Sequence, residues 1–187
     1  MELDLAYLSQ GLEELETYLL SDVLFWPLSG IPPSGGQPFQ RLTLGGLHLA
    51  RARLKAQKLR KKENHKISNI NSRLEQLHHK WRVAWVRKVS WEFRSRINQW
   101  ENFLNELRRN PKENAAFYGY EVRIRVMLHF LKPEADDVNP EFFNLLEGLD
   151  NLLKALLKPD GFIWDERLSD GFPKQNFWYL WGDIREQ

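Results

Sequence analysis

The chain has no cysteine. Disulfides, thiol nucleophiles and Cys-ligated zinc are therefore excluded, and the composition is compatible with a reducing compartment. It also lacks any run of eighteen apolar residues, the length a membrane-spanning helix needs. The first forty residues hold six acids and neither lysine nor arginine. The start MELDLAYLSQGLEELE thus has none of the basic character of a secretory leader, and the expected location is cytoplasmic. Phosphate-binding chemistry of the P-loop kind is missing. SGIPPSGGQ has neither the strand before it nor the Lys-Ser/Thr after it that such a loop requires. No G-x-S-x-G and no H-E-x-x-H occurs. Between Ile67 and Asn110 there is neither proline nor glycine, the two residues that most often end a helix.

What is present is an ordinary globular composition in 187 residues, with 42% hydrophobic and 28% charged side chains. A chain of this length can bury a core without covalent staples. The net charge of +2 conceals a segregation. Residues 1–40 carry −6, residues 41–66 carry +8, residues 67–110 carry +5 and residues 111–187 carry −5. A basic middle lies between acidic ends. Either the acidic segments dock near the basic helices, or the basic middle presents a patch to an anionic partner.

The hydrophobic spacing predicts an all-α bundle of about five helices. Leu5, Leu8, Leu12, Leu15 and Leu19 recur at three- and four-residue steps and predict a helix over 3–20. LFWPLSGIPPSGGQPF follows as a loop whose apolar members pack onto the body. A second helix is expected from about Gln40 to about Lys62, weakened in its first turns by Gly45 and Gly46. It carries two apolar strips, so it reads as wedged between neighbours. The third helix, Ile67 to about Asn110, is the long one of about forty residues. Its apolar steps are threes and fours that turn into a run of fours from Leu77 to Ile97, so the seam drifts around the helix there. Asn110-Pro111 stops it. Residues 113–131 read as a fourth helix rather than a strand. Asn139-Pro140-Glu141 starts a fifth, with an N-cap, a proline at the first helical position and an acid at the positive end of the dipole. Residues 161–187 are too aromatic to leave in water and read as an irregular arm packed on a bundle of residues 1–160, in one domain overall.

The stretch WRVAWVRKVSWEFRSRINQW, Trp81 to Trp100, holds four of the eight tryptophans. On a helical wheel Trp85 and Trp100 fall on the broad apolar face with Val89 and Leu107, and Trp81 sits at its edge. On the far side Arg73, Lys80, Arg87 and Arg94 repeat every seven residues. Trp91 lies among these cations. Local cation–π pairing with Arg87, Lys88 or Arg94 would occupy its ring, or the ring offers a surface to a partner.

Chemical sites are sparse. Glu75-Gln76-Leu77-His78 has the E-x-x-H spacing of carboxylate-bridged di-metal bundles, but no second copy exists, so no metal is expected. No catalytic residue and no cofactor are assigned, and no small-molecule substrate is evident. Catalysis would need a deep pocket lined by at least two carboxylates or a histidine. The function expected is that of a non-catalytic interaction or scaffold protein. Its partner-binding candidates are Trp91, Arg87, Arg94 and Lys80, and the uncovered seam of the long helix favours a second copy or another protein as partner. The alternative is nucleic-acid binding through the basic helices 41–66 and 73–94, with Arg51, Lys55, Lys58, Arg60, Lys61 and Lys62 meeting phosphates. No helix-turn-helix, RNP or zinc-finger pattern accompanies them.

Overall fold

A computed structural model of the chain describes residues 2–33, 35, 37–57 and 60–184. The protein is all-α. Its helices are α1 (Glu2–Leu20), α2 (Leu44–Ala56), α3 (Lys61–Lys80), α4 (Arg82–Arg109), α5 (Pro111–Asn114), α6 (Tyr118–Glu121), α7 (Arg123–Leu131) and α8 (Pro140–Leu156). Two three-residue strands, β1 (Leu157–Pro159) and β2 (Gly182–Ile184), pair antiparallel near the C-terminus. Among the described residues no helix is long and apolar enough to cross a membrane.

α1 sets Glu2 and Asp4 in its first turn, at the positive end of its dipole. It buries Leu8, Leu12, Leu15 and Leu19 together with Tyr7 and Tyr18. The loop after it is tied down, as its apolar content predicts. Trp26 and Leu42 exchange backbone hydrogen bonds of 3.2 and 2.8 Å. The Glu14 carboxylate accepts from Trp26 Nε1 at 2.8 Å, from the Ser29 backbone N–H at 2.9 Å and from the Ser29 hydroxyl at 2.6 Å.

α2 begins at Leu44, later than its sequence suggests, because Thr43 caps it. The Thr43 hydroxyl accepts from the Gly46 N–H at 3.0 Å. Gly45 and Gly46 therefore lie in the first turn, where α2 is pressed between α1, α4 and α7. A Cβ on Gly45 would sit 2.7 Å from Glu92 Oε1, and one on Gly46 would sit 2.5 Å from the Tyr7 hydroxyl. Both faces of α2 are occupied: Leu47, Leu49, Ala50 and Leu54 are all buried. The helix ends at Ala56, short of the expected Lys62.

The long rod is divided. Trp81 has φ −116° and ψ 33°, outside the α region, while hydrogen bonds run on across it from Trp81 N to Leu77 O at 2.9 Å and from Trp85 N to Trp81 O at 2.8 Å. The interruption falls where the apolar spacing changes. The stripe of α3 (Ile67, Ile70, Leu74) packs on α1, and that of α4 packs on α1, α2, α7 and α8. Two stripes that point at different neighbours are not served by one straight helix. α4 alone has 28 residues, a length of roughly 42 Å. Its Trp85, Val89, Phe93, Ile97, Trp100, Leu104 and Leu107 are buried within the single chain.

Pro111 stops α4 and stands at the first position of α5. The segment expected as a fourth helix is broken into α5, a 3-10 turn at Ala115–Phe117, α6 and α7. α7 buries Ile124, Val126, Met127, Leu128 and Leu131, too many sides for a surface helix. α8 starts as read: Asn139 caps it, its Oδ1 accepting from Glu141 N at 3.0 Å, and Pro140 follows. Beyond it the aromatic arm runs through 3-10 turns at Glu166–Gly171 and Trp178–Leu180. Phe172, Phe177 and Tyr179 are buried. Trp164 Nε1 donates to Gly119 O at 2.7 Å, and the Tyr118 hydroxyl donates to Tyr179 O at 2.5 Å.

Candidate interaction surface

α4 carries three charges on its buried edge, one turn apart. Lys88 and Glu92 are 0% exposed and Arg96 is 8% exposed. Lys88 is answered at the end of α1, and Glu92 and Arg96 at the start of α2 and by each other. Lys88 Nζ donates to Val23 O at 2.7 Å and to the Ser21 hydroxyl at 3.3 Å, just past the C-terminal end of α1, and it lies 4.4 Å from the Tyr18 ring. A cation at that end meets the negative pole of the helix. Burial, with Arg87 nearby, pushes the Lys88 pKa down, while Asp22 opposes the shift. Glu92 does the reverse at the start of α2. Its Oε2 accepts from the Gly45 N–H at 3.0 Å, and its Oε1 accepts from Arg96 Nε at 3.2 Å. Arg96 also donates to Gln99 Oε1 at 3.1 Å and to the Thr43 hydroxyl at 3.3 Å, under the Phe25 ring at 5.2 Å. The sequence reading missed this ladder. Its signal was charges at i, i+4 and i+8 beside the apolar stripe.

The far side of α4 is open. Trp91 is 38% exposed and Val83 is 86% exposed. Of the three neighbouring cations, Lys88 is the one over the Trp91 ring, at 5.5 Å. Arg87 and Arg94 are exposed on the same face. Arg94 Nε donates to Ser90 O of its own helix at 3.2 Å, and Arg87 makes no ion pair among the described residues. Lys80 stands apart at the end of α3. It pairs with Glu16 of α1 at 3.0 Å and covers the Trp81 ring at 5.0 Å. The structure therefore gathers Arg87, Trp91 and Arg94 on α4 and spends Lys80 within the chain.

The second set of candidates is divided between two helices. Arg51, half-buried, and Lys55, exposed, lie on α2. Lys61 and Lys62 are exposed in the first turn of α3, after Arg60, whose backbone N–H is capped by Glu63 Oε2 at 2.8 Å. Lys58 lies outside the described residues. Arg53, not singled out by sequence, is 4.0 Å from Asp4 and 4.8 Å from the Trp164 ring. Acidic α1 thus takes up Arg53 and Lys80 of the basic middle, while Lys55, Lys61 and Lys62 are exposed.

The E-x-x-H pair does not converge. Glu75 is exposed, and His78 Nε2 lies 3.9 Å from Oε2 of Glu134, in the 3-10 turn Lys132–Glu134 that follows α7. Glu134 also meets His48 Nε2 at 3.4 Å and accepts from Trp85 Nε1 at 2.5 Å. Burial works to raise its pKa, but the bonds from His48 and Trp85 and the charge of His78 hold the carboxyl below its ordinary value. Among the described residues no group of three or more His, Asp or Glu is disposed to hold a metal ion.

A groove of about 540 Å³ opens between α2, α7 and the arm. Arg51 and Lys55 line it from α2, with His48. His129, Phe130 and Phe177 form the facing side. It contains two histidines, so the condition set for a catalytic pocket is met in residue type, but none of its lining residues is a carboxylate or a hydroxyl nucleophile. Gly171 sets its edge. A Cβ there would stand 2.4 Å from the Ala56 Cβ, so the arm reaches α2 only because that position is glycine. Comparison with protein-family models, with curated proteins and with solved structures finds no match.

Proposed function

We propose that the chain is a non-catalytic interaction protein of the cytoplasm, which engages an acidic protein surface through the outer face of α4. The observation that carries this reading is Trp91, 38% exposed between the exposed cations Arg87, which has no ion pair among the described residues, and Arg94, and two turns beyond exposed Val83. Aromatic and arginine side chains together are the residue types over-represented at binding hot spots. Arg87 and Arg94 supply the complementarity that steers an acidic partner. Self-association is one form of the same reading, because residues 1–40 and 111–187 of a second copy are acidic. A coiled-coil seam does not support it, since the α4 stripe is already covered within one chain.

Nucleic-acid binding is the second reading. The observation that favours it is α3, which gives only Ile67, Ile70 and Leu74 fully to the core and exposes Lys61, Lys62, Lys66 and Arg73. Affinity purification with the whole chain and with Trp91→Ala/Arg87→Glu tests the two together. The first reading expects a protein, or a second copy detected by sedimentation, retained by the wild type and lost by the variant at unchanged thermal midpoint. Recovery of nucleic acid alone, released by salt and by Lys61→Glu/Lys62→Glu, favours the second. Equal recovery by all variants defeats both.

A further inference from the structure

We infer that the groove between α2, α7 and the C-terminal arm is a binding site for an anionic planar-ring molecule of mononucleotide size, with Arg51 and Lys55 on the anion and Phe130 and His129, backed by buried Phe177, against the ring. Its 540 Å³ lies within the range of small-molecule sites.

One wall is cationic and uncompensated. Arg51 and Lys55 are one helical turn apart on α2, so both project to the same side. No aspartate or glutamate is among the groove's lining residues, and Glu134, which lies 3.4 Å from the lining residue His48, also accepts from Trp85. Among the described residues the Arg51 side chain makes no ion pair, and its Nε–H has no acceptor. The guanidinium of half-buried Arg51 and the exposed Lys55 ammonium are donors suited to charge-assisted bonds with a phosphate or carboxylate oxygen.

The facing wall is aromatic. His129 lies 4.5 Å from the Phe177 ring and 5.6 Å from Phe130, and Phe130 is 5.8 Å from Phe177. Burial, with Arg125 and Lys132 adding to it, holds the His129 imidazole below its ordinary pKa. At neutral pH it is therefore an uncharged ring, available for stacking rather than for a third positive charge. Stacking on such a shelf is tolerant of ring identity. Asn176, exposed on the rim, offers an amide to the edge of a ring. One wall thus fits the anion, the other the ring, and the gap is held by the contact of Gly171 with Ala56.

Isothermal titration of the whole chain with adenosine 5′-monophosphate, adenosine and inorganic phosphate tests this. The nucleotide should bind saturably with one site per chain and more tightly than either fragment. Lys55→Ala, at an exposed position that leaves the fold intact, and Arg51→Gln should each weaken it about ten-fold. Trp91→Ala should leave it unchanged, which separates this site from the outer face of α4. Absence of saturable binding, phosphate binding as tightly as the nucleotide, or an affinity indifferent to Lys55→Ala and Arg51→Gln would each overturn the assignment.

Discussion

Glu92→Ala removes a buried carboxylate that has two partners. Gly45 N–H, at 3.0 Å, loses its acceptor at the start of α2, and Arg96, 8% exposed, loses the carboxylate 3.2 Å from its Nε. Taking away one member of a buried pair costs about 3–5 kcal/mol, because the other charge is left unpaired. Arg96 keeps Gln99 and Thr43, which places the expected loss at the lower end, about 3 kcal/mol. For a chain of this size each kcal/mol moves the thermal midpoint by about 2–4 °C, so the midpoint should fall by about 6–12 °C. Urea unfolding followed by tryptophan fluorescence, with calorimetry beside it, reads both quantities. Glu92→Leu/Arg96→Met, which removes both charges, should cost less than the two single changes together by at least about 1 kcal/mol. A loss below about 1 kcal/mol for Glu92→Ala, or strict additivity in the double variant, would refute the account of Glu92 as the joint charge partner of α2 and Arg96.

Gly46→Ala is expected to destabilise, against helix propensity, which alone would favour alanine by about 1 kcal/mol. The new Cβ meets the Tyr7 hydroxyl at 2.5 Å, and overpacking of this kind costs about 1–3 kcal/mol in the same urea assay; a gain in stability would show that the first turn of α2 has room. Glu14 predicts an acid effect. Burial works to raise its pKa, but the bonds from Ser29, Trp26 and Gln10 outweigh this and bring it from 4.5 to about 2. The unfolded chain therefore takes up this proton first. The contribution is complete above about pH 4.5 and fades as the pH falls toward 2. The stability gap between wild type and Glu14→Gln should narrow over that window, and a gap that stays constant would mean that the loop is held by other contacts.

The stripes of α1 and α4 and the start of α8 were legible because long periodic segments and cap signals leave little choice of which side is buried and where a helix begins. Trp85, Val89, Trp100 and Leu107 were placed in the core from spacing alone, and all four are buried. Trp81 was not legible as an interruption, since no residue there opposes a helix and the cause lies in which neighbour each stripe meets. The glycines of α2 read as a local weakness, although their role is steric and depends on Glu92 and Tyr7, residues far away in sequence. β1 and β2 are three residues each, too short to show alternation, and they pair across the whole arm. At the outer face, Arg87, Trp91 and Arg94 followed from the wheel. The separation of Lys80 did not, because Glu16 belongs to another helix. The groove was out of reach altogether: its walls come from α2, α7 and the arm, three segments that no single pattern joins.

The ladder Lys88, Glu92, Arg96 fixes how far α4 can slide along its neighbours. A shift of one turn in one direction carries the Lys88 ammonium to the amide-rich entry of α2, where Glu92 now sits. The opposite shift brings the Glu92 carboxylate to Val23 O, among the carbonyls that Lys88 now satisfies. Either way a buried ion faces its own sign, while the apolar stripe, spaced by fours from Trp85 to Ile97, repeats at that same step. Oil alone leaves that alignment degenerate; alternation of sign makes it single-valued.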